Sequence, residues 1–239
     1  MSRKDDLRTQ HAGMILNFTS AKQETKLAEA LKTVVAKIEK SFPLRLNHKT
    51  SWNLTEIVET LRAEYPDVPF GQPLPKSHMR PDGGILSILD QDGREHPILI
   101  VEVKNQGTND TRAKEGLAAQ AMGNAIERLG KNVIGFRTAM LPEGIMPFVC
   151  FGYGYDFKDG SSIRDRVITV AMFGPLNEIN VVPLGDAGQF ARGSYFFREK
   201  EWSESEMVEV LFDVASRSIH FYFAKYGEET FRAGQSRAE

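Results

Sequence analysis

The sequence predicts an α/β fold, with a mixed central β-sheet flanked by helices. Short apolar runs rich in β-branched residues, at 98–103 and 146–153, are typical of buried strands. Longer segments, at 20–41 and 202–222, carry apolar residues at helical spacing, with charged residues between them. Both kinds of segment alternate along 239 residues, a length that can bury one sizeable core, so we expect a single domain spanning 1–239.

Composition and charge exclude several classes of protein. The 30 basic and 32 acidic side chains give a net charge of −2, the wrong sign for a protein that coats DNA through bulk positive charge. That balance still permits a specific enzyme whose basic side chains line one cleft. We find neither a run long enough to span a membrane nor a signal-peptide pattern. The single cysteine, Cys150, can form no internal disulfide and is expected to be buried, and this cysteine usage favours a reducing cytoplasm.

The N-terminal part of the chain is predicted to be helical after a loose arm. Residues 1–18 are mixed polar and are expected to form a flexible arm, followed by a helix over 20–41 that ends before Pro43. A second helix is predicted over 53–65, where the Asn53 side chain can cap the first turn. A proline-rich loop then connects this helix to Arg80.

The middle of the chain predicts a β-hairpin that carries charged residues. Strands are expected at 85–89 and 98–103, with a turn at 90–93 between them. Alternate side chains of a strand share a face, so Glu102 and Lys104 should point the same way. The hairpin returns Asp82 towards the strand end that bears Glu102, and Gly83 and Gly84 permit a sharp turn there.

These residue types predict a magnesium site. Asp82, Glu102 and the backbone carbonyl of Val103 provide the oxygen ligands that Mg²⁺ prefers, and Lys104 can orient a water or offset charge on a phosphate. The structural alternative is that Asp82 is only a turn residue and that the Glu-x-Lys pair lies on a solvated edge. The run before Glu102 is too apolar for such an edge, so a charge there needs a partner or a function.

A further helix is predicted over 111–129, with Gly130 as its end. It contains clusters of small residues, which permit either tight packing in the core or a close approach to base edges. Asn124 and Arg128 lie one turn apart on one face, and these side-chain types can read adenine and guanine.

The last third of the chain is predicted to contain three strands and a long helix. The strands are expected at 146–153, 166–173 and 194–197. The helix is expected over 202–222, with Ser203 as its N-cap. Residues 227–239 are polar and are expected to be a frayed tail.

Three motifs occur in the order R-P-D-G-G at 80–84, I-V-E-V-K-N-Q-G at 100–107 and G-N-A-I-E-R-x-x-K-N at 123–132. In this order they resemble the EcoRI family of type II restriction endonucleases, and the resemblance covers about 55–223 with a divergent region near 160–200. It implies a restriction-endonuclease-like PD-(D/E)xK fold and a homodimer that cleaves double-stranded DNA, with Mg²⁺, at a palindromic site.

Carried over residue by residue, the resemblance makes Asp82, Glu102 and Lys104 the catalytic residues, with Asp82, Glu102 and Val103 on the metal. It implies recognition of a central AATT. The residues expected to contact DNA are Gln106, Gly123, Asn124, Ala125, Glu127, Arg128, Lys131 and Asn132.

The outer base pair of the site is less determined. Family frequency favours GAATTC over CAATTG, but the loop at 174–180 has no arginine to read guanine. Arg164, Arg166 and Arg192 are the candidate substitutes. Two other functions stay open: a repair or recombination nuclease of the same superfamily, and a dimeric DNA-binding protein that has lost cleavage.

Overall fold

The computed structural model describes residues 13–105, 115–116, 124–183 and 190–232. The strands in these ranges are β1 (Leu46–Lys49), β2 (Trp52–Asn53), β3 (His78–Met79), β4 (Gly84–Leu89), β5 (Glu95–Asn105), β6 (Phe148–Tyr153) and β7 (Ser194–Arg198). The helices are α1 (Gly13–Ser41), α2 (Leu54–Glu64), α3 (Asn124–Ala139), α4 (Ser162–Val170) and α5 (Glu204–Tyr226). Two 3₁₀ segments, Tyr155–Phe157 and Glu228–Phe231, complete the described elements.

Five of the strands form the central sheet, in the order β1-β4-β5-β6-β7. β1, β4 and β5 are antiparallel neighbours, whereas β5, β6 and β7 run parallel. This confirms the predicted α/β fold with a mixed sheet. The predicted hairpin is also confirmed: Leu89 pairs with Glu95 beside the turn, and Gly84 pairs with Val101 at the far end. That register carries the residues before Gly84 to the part of β5 where Glu102 lies.

Helices cover both faces of β5. Val103 shares a small cavity with Lys26 of α1 and Met207 of α5, and α1 packs against α5. Glu102, which points to the opposite face, contacts Asn132 of α3. Glu102 therefore lies on the α3 side of the sheet, and helices α1 and α5 pack on the opposite side of the strand.

Two helix boundaries differ from the prediction. α1 begins at Gly13, so residues 13–18, which we expected in the flexible arm, are helical; residues 1–12 lie outside the described residues. α3 continues through Gly130 to Ala139, so the predicted end at Gly130 is wrong, while 111–114 and 117–123 lie outside the described residues. A helical glycine costs about 1 kcal/mol relative to alanine. Burial of Val133 and Phe136, beyond the glycine, offsets that cost.

The strand predicted at 166–173 is wrong, because this segment lies largely in helix α4. The Ser161 side chain accepts a hydrogen bond from the Ile163 amide and caps the first turn. Ile163 and Val167 lie four residues apart and are both buried. Branched side chains favour a strand in isolation, but here their spacing fits a helix that packs one face on the core.

The expected frayed tail is also wrong for its first part. Glu228–Phe231 forms a 3₁₀ turn, Phe231 is fully buried, and the Gln91 amide donates to the Thr230 carbonyl. Residues 233–239 lie outside the described residues. The predicted helix before this turn is confirmed as α5, which ends at Tyr226, four residues later than expected. Its Ser203 cap is confirmed and forms a capping box with Glu206.

The expected burial of the single cysteine agrees with the structure. Cys150 is a buried free cysteine on β6. In the ranges that the structure describes, none of the helices has the length and apolar character needed to cross a bilayer.

Candidate active site

The loop before β4 holds Asp82 close to β5. The Gly83 amide donates to the Val101 carbonyl at 2.9 Å, and the Gly83 carbonyl lies 2.9 Å from Nε2 of His48. Gly84 has a φ of +73°, and a Cβ at this position would lie 2.5 Å from the Lys49 carbonyl oxygen. Glycine is therefore required where the chain turns into the strand. The contact from His48 was not predicted, because this residue lies on the neighbouring strand β1 rather than on the hairpin.

Backbone amides orient both carboxylates. The Val103 amide donates to Oδ2 of Asp82 at 3.0 Å, and the Asp82 amide donates to Oε2 of Glu102 at 3.3 Å. The Asp82 carboxylate thus accepts from the strand that carries Glu102, and the Glu102 carboxylate accepts from the loop that carries Asp82. The structure brings the predicted acidic pair together, and the period of the strand explains why Glu102 faces the loop.

The Lys104 side chain lies between the oxygens that we predicted as metal ligands. Its Nζ is 3.1 Å from Oδ2 of Asp82 and 3.1 Å from the Val103 carbonyl, and it forms a closer ion pair with Oε1 of Glu102. One ammonium group therefore contacts both carboxylates and the carbonyl. Positive charge is favourable at the point where these three oxygens converge.

Burial sets the electrostatics of this group. Glu102 is only 1% exposed, and its burial raises the pKa of the carboxyl above the usual value, although the Lys104 ammonium opposes the change. Burial lowers the pKa of Lys104, but the carboxylates of Glu102 and Asp82 outweigh that effect and hold it above its usual value. The buried charges are stable because they are paired, so removal of one member leaves a costly unpaired charge.

The donor set fits a hard divalent cation. The available ligands are two carboxylates and one carbonyl, all of them oxygens, and Mg²⁺ commonly binds one or two carboxylates while it retains several waters. Among the described residues no cluster of three or more histidine, cysteine, aspartate or glutamate side chains could hold a metal ion. Any metal at Asp82 and Glu102 must therefore take further ligands from the backbone, water or substrate.

Helix α3 has an inner face and an outer face. Ile126 and Leu129 are buried, whereas Glu127, Arg128 and Lys131 are exposed. Packing therefore accounts for one side of the helix and leaves the charged side chains accessible. The side chains of Asn124 and Ala125 lie outside the described residues, as do Gln106 and Gly123. The DNA contacts predicted for Glu127, Arg128, Lys131 and these four residues stay predictions.

Asn132, another of the predicted DNA contacts, lies beside the acidic pair, and its amide nitrogen donates to Oε1 of Glu102 at 3.2 Å. The last of the motif residues thus reaches the acidic pair. Sequence reasoning placed Asn132 on DNA and missed this contact. The sequence pattern does not predict this contact: four-residue spacing from Asn124 and Arg128 suggested a place near the proposed reading face, and only the packing of α3 brings Asn132 to Glu102.

A groove of about 520 Å³ borders Asp82 on the side of α1. One wall comes from α1, which contributes Leu31 and Val35. The other wall comes from β1, with His48, and from the loop before β4, with Asp82. None of the three candidate arginines for the outer base pair lines this groove. Arg164 forms an ion pair with Asp159 at the start of α4, Arg166 is exposed on α4, and Arg192 lies over the Phe190 ring.

The chain is similar to characterised proteins over most of its length. Residues 9–229 match the family model described as Restriction endonuclease EcoRI. The type II restriction enzyme RsrI of Cereibacter sphaeroides is 29% identical over 239 aligned positions, which cover 86% of each protein. The type II restriction enzyme EcoRI of Escherichia coli is 29% identical over 229 positions, which cover 81% of this chain and 83% of that enzyme.

Proposed function

Because the chain belongs to the restriction endonuclease EcoRI family, we propose that this type II restriction endonuclease hydrolyses duplex DNA at a palindromic site with a central AATT. The reaction is Mg²⁺-dependent and serves the restriction of foreign DNA. The observation that carries the proposal is the convergence of Asp82, Glu102 and Lys104 at one end of β5, within the range that matches the family.

In the proposed mechanism Asp82, Glu102 and the Val103 carbonyl hold the cation. Bound there, Mg²⁺ supplies positive charge that stabilises the attacking and leaving oxygens at phosphorus. Lys104 turns its ammonium from the carboxylates towards the phosphate, where it orients the attacking water and offsets developing charge. The Val103 amide keeps Asp82 aimed at the site, since it donates to Oδ2 of that carboxylate.

The proposed active form is a homodimer in which each chain contributes one endonuclease domain. A palindromic site has two-fold symmetry, and a symmetric dimer presents the same reading surface to each half-site. The exposed face of α3, with Glu127, Arg128 and Lys131, is the surface proposed to face DNA. Glu127 carries the wrong charge to approach DNA alone, so it pairs with Arg128 or accepts from a base amino group.

Incubation of plasmid DNA with the protein and Mg²⁺ tests the proposal directly. We expect discrete fragments whose ends carry four-base AATT overhangs, flanked by G and C if the site is GAATTC. A smear, or cleavage that depends on DNA structure, would instead indicate a repair nuclease, and retarded but intact DNA a binding protein. Ends that lack AATT would contradict the site and the reading role of α3, but not the chemistry of Asp82, Glu102 and Lys104.

The base-reading role predicts a loss of discrimination in two variants. Asn124→Ala and Arg128→Ala should each reduce discrimination between the cognate site and a one-base variant by about 1–3 kcal/mol per lost contact. Equilibrium binding to both duplexes at fixed salt measures this difference. Thr138→Ala, which removes a hydroxyl that donates to the Ile134 carbonyl of the same helix, is the control. If both variants cut the same sites at normal rates, α3 is only structural.

The position of Lys104 predicts that it competes with the metal. Lys104→Ala should bind Mn²⁺ about tenfold more tightly than the unmodified protein in the absence of DNA, because no ammonium then contacts the three oxygens. Calorimetry or electron paramagnetic resonance measures the affinity. Lys37→Ala on α1 removes the same charge away from the site and controls for net charge. Unchanged affinity in Lys104→Ala would show that the ammonium and the metal occupy different places.

A further inference from the structure

We propose that Asn132 is a positioning residue that connects base reading by α3 to the orientation of the Glu102 carboxylate. The inference rests on the proposed function, because it assigns a role within the proposed metal site. It gives Asn132 a role other than the DNA contact that the sequence motif implies.

Both oxygens of the Glu102 carboxylate have defined partners. Its Oε2 accepts from the Asp82 amide, whereas its Oε1 is shared between Lys104 Nζ and the Asn132 amide nitrogen. When the Lys104 ammonium turns to the phosphate, Asn132 is the side-chain donor that stays on Oε1. Glu102 is almost fully buried, so solvent has little access to replace this hydrogen bond.

The donor to Glu102 is the neutral side-chain amide of Asn132. A neutral amide orients a carboxylate through one hydrogen bond and adds no positive charge that would compete with a cation. Hydrogen bonds to a ligating carboxylate commonly change metal affinity by 10–100-fold. Asn132 therefore has the properties expected of a group that prepares Glu102 for metal.

The helix connects the two ends of the motif. Asn124, Arg128 and Asn132 lie at positions i, i+4 and i+8 of α3, on a slanted stripe along which Asn132 is about 80° around the helix from Asn124. At 1.5 Å per residue, the stripe extends about 12 Å from the first turn to Asn132. Leu129 and Val133 are buried on the inner face of the same segment, so the two ends of the motif lie on one continuous helix that packs against the core. A small displacement of α3 on cognate DNA therefore moves the Asn132 amide relative to Glu102.

The first test uses metal binding without DNA. Asn132→Ala and the near-isosteric Asn132→Leu should both bind Mn²⁺ about tenfold more weakly than the unmodified protein. The leucine variant retains the volume, so equal effects in the two variants assign the loss to the missing donor. Thr138→Ala on the same helix should bind Mn²⁺ normally. Circular dichroism and thermal unfolding establish that each variant is folded, and unchanged Mn²⁺ affinity in both Asn132 variants would overturn the proposal.

The second test uses DNA. Without metal, Asn132→Leu should bind the cognate duplex within about threefold of the unmodified protein, because Asn132 faces Glu102 rather than DNA. In single-turnover cleavage the Mg²⁺ concentration for half-maximal rate should rise about tenfold. The ratio of cleavage rates between the cognate duplex and a one-base variant should fall several-fold, because the helix no longer transmits correct reading to Glu102.

The outcomes separate this proposal from the proposed function. Metal-free DNA binding that weakens more than tenfold, with normal Mn²⁺ affinity, would make Asn132 a DNA contact and overturn the inference. An unchanged ratio of cleavage rates would overturn the connection to base reading. If the unmodified protein cuts no DNA, the proposed function fails, and the Mn²⁺ measurement alone still decides whether Asn132 positions Glu102.

Discussion

Lys104→Ala should lower the single-turnover rate of DNA cleavage by about 10³-fold while specific binding stays within about tenfold, or 1.4 kcal/mol. The ammonium contacts both carboxylates and the Val103 carbonyl, so it lies at the point where the reaction is proposed to occur. Its loss removes the group that orients water and offsets charge on the phosphate. Binding depends mainly on contacts elsewhere along the duplex, so it should change little.

Cleavage and gel-shift measurements on the same preparations test this prediction. Asp82→Ala should also abolish cleavage, and it should bind DNA at least as tightly, because it removes a negative charge next to phosphate. Lys37→Ala, on α1 over the Phe212 ring, is the matched lysine control and should cut normally. Retained turnover in Lys104→Ala would contradict the catalytic assignment of this lysine.

The second large effect concerns stability at the other end of the β4–β5 hairpin. His96→Leu should lower the free energy of unfolding by about 3 kcal/mol, the lower end of the range for a broken buried ion pair. The His96 ring is 2% exposed, and its nitrogens lie 3.3 Å from Oδ2 of Asp90 and 3.3 Å from Oε1 of Glu143. Leucine would leave two buried carboxylates without the ring nitrogens that contact them.

Neighbouring groups explain why we expect the lower end of that range. Glu143 also accepts from the Tyr226 hydroxyl at 3.0 Å, and Asp90 accepts from the Arg94 amide at 2.8 Å. These partners stay in the variant and reduce the desolvation penalty. The rings of Tyr222, Tyr226 and Phe231 surround His96, so the cluster also attaches the end of α5 and the following turn to the hairpin.

The pH dependence of unfolding provides a second readout. Burial raises the pKa of Asp90, but the Arg94 amide and His96 outweigh it and leave the pKa below its usual value. Burial likewise raises the pKa of Glu143, but His96 and Tyr226 outweigh it. Groups with a lowered pKa in the folded state stabilise it above their unfolded pKa values, about 4, and this stabilisation is lost as pH falls through the folded values.

The difference in stability between His96→Leu and the unmodified protein should therefore shrink as pH falls below about 4, because both carboxylates then become protonated. Urea unfolding at a series of pH values measures it. His220→Leu, an exposed histidine on α5, is the control and should change stability by less than about 0.5 kcal/mol. A loss that does not vary with pH would assign the effect to packing rather than to the ion pairs.

Local sequence was enough to determine the hairpin and the acidic pair. Strand periodicity depends only on the backbone, so Glu102 and Lys104 necessarily share a face once 98–103 is a strand. The turn at 90–93 and the glycines before β4 then bring Asp82 to the same place. The family resemblance rested on the same short motifs, and the family match over 9–229 confirms it.

The predictions that were wrong concern segments in which local propensity and tertiary packing favour different structures. Gly130 predicts a helix end and the branched residues of 166–173 predict a strand, yet both segments are helical because their apolar side chains face the core. Burial of the Phe231 ring likewise orders 228–231, the first part of a tail that composition predicts to be frayed.

The sequence by itself determined which residues form the proposed catalytic group, because they lie on one hairpin whose geometry is local. Only the tertiary structure decided that Asn132 contacts Glu102, 30 residues away, that His48 contacts the Gly83 carbonyl, and that His96 lies between Asp90 and Glu143. These contacts join separate elements, and their distances depend on how the elements pack. No pattern along the chain specifies that packing, since it results from burying all the apolar faces at once.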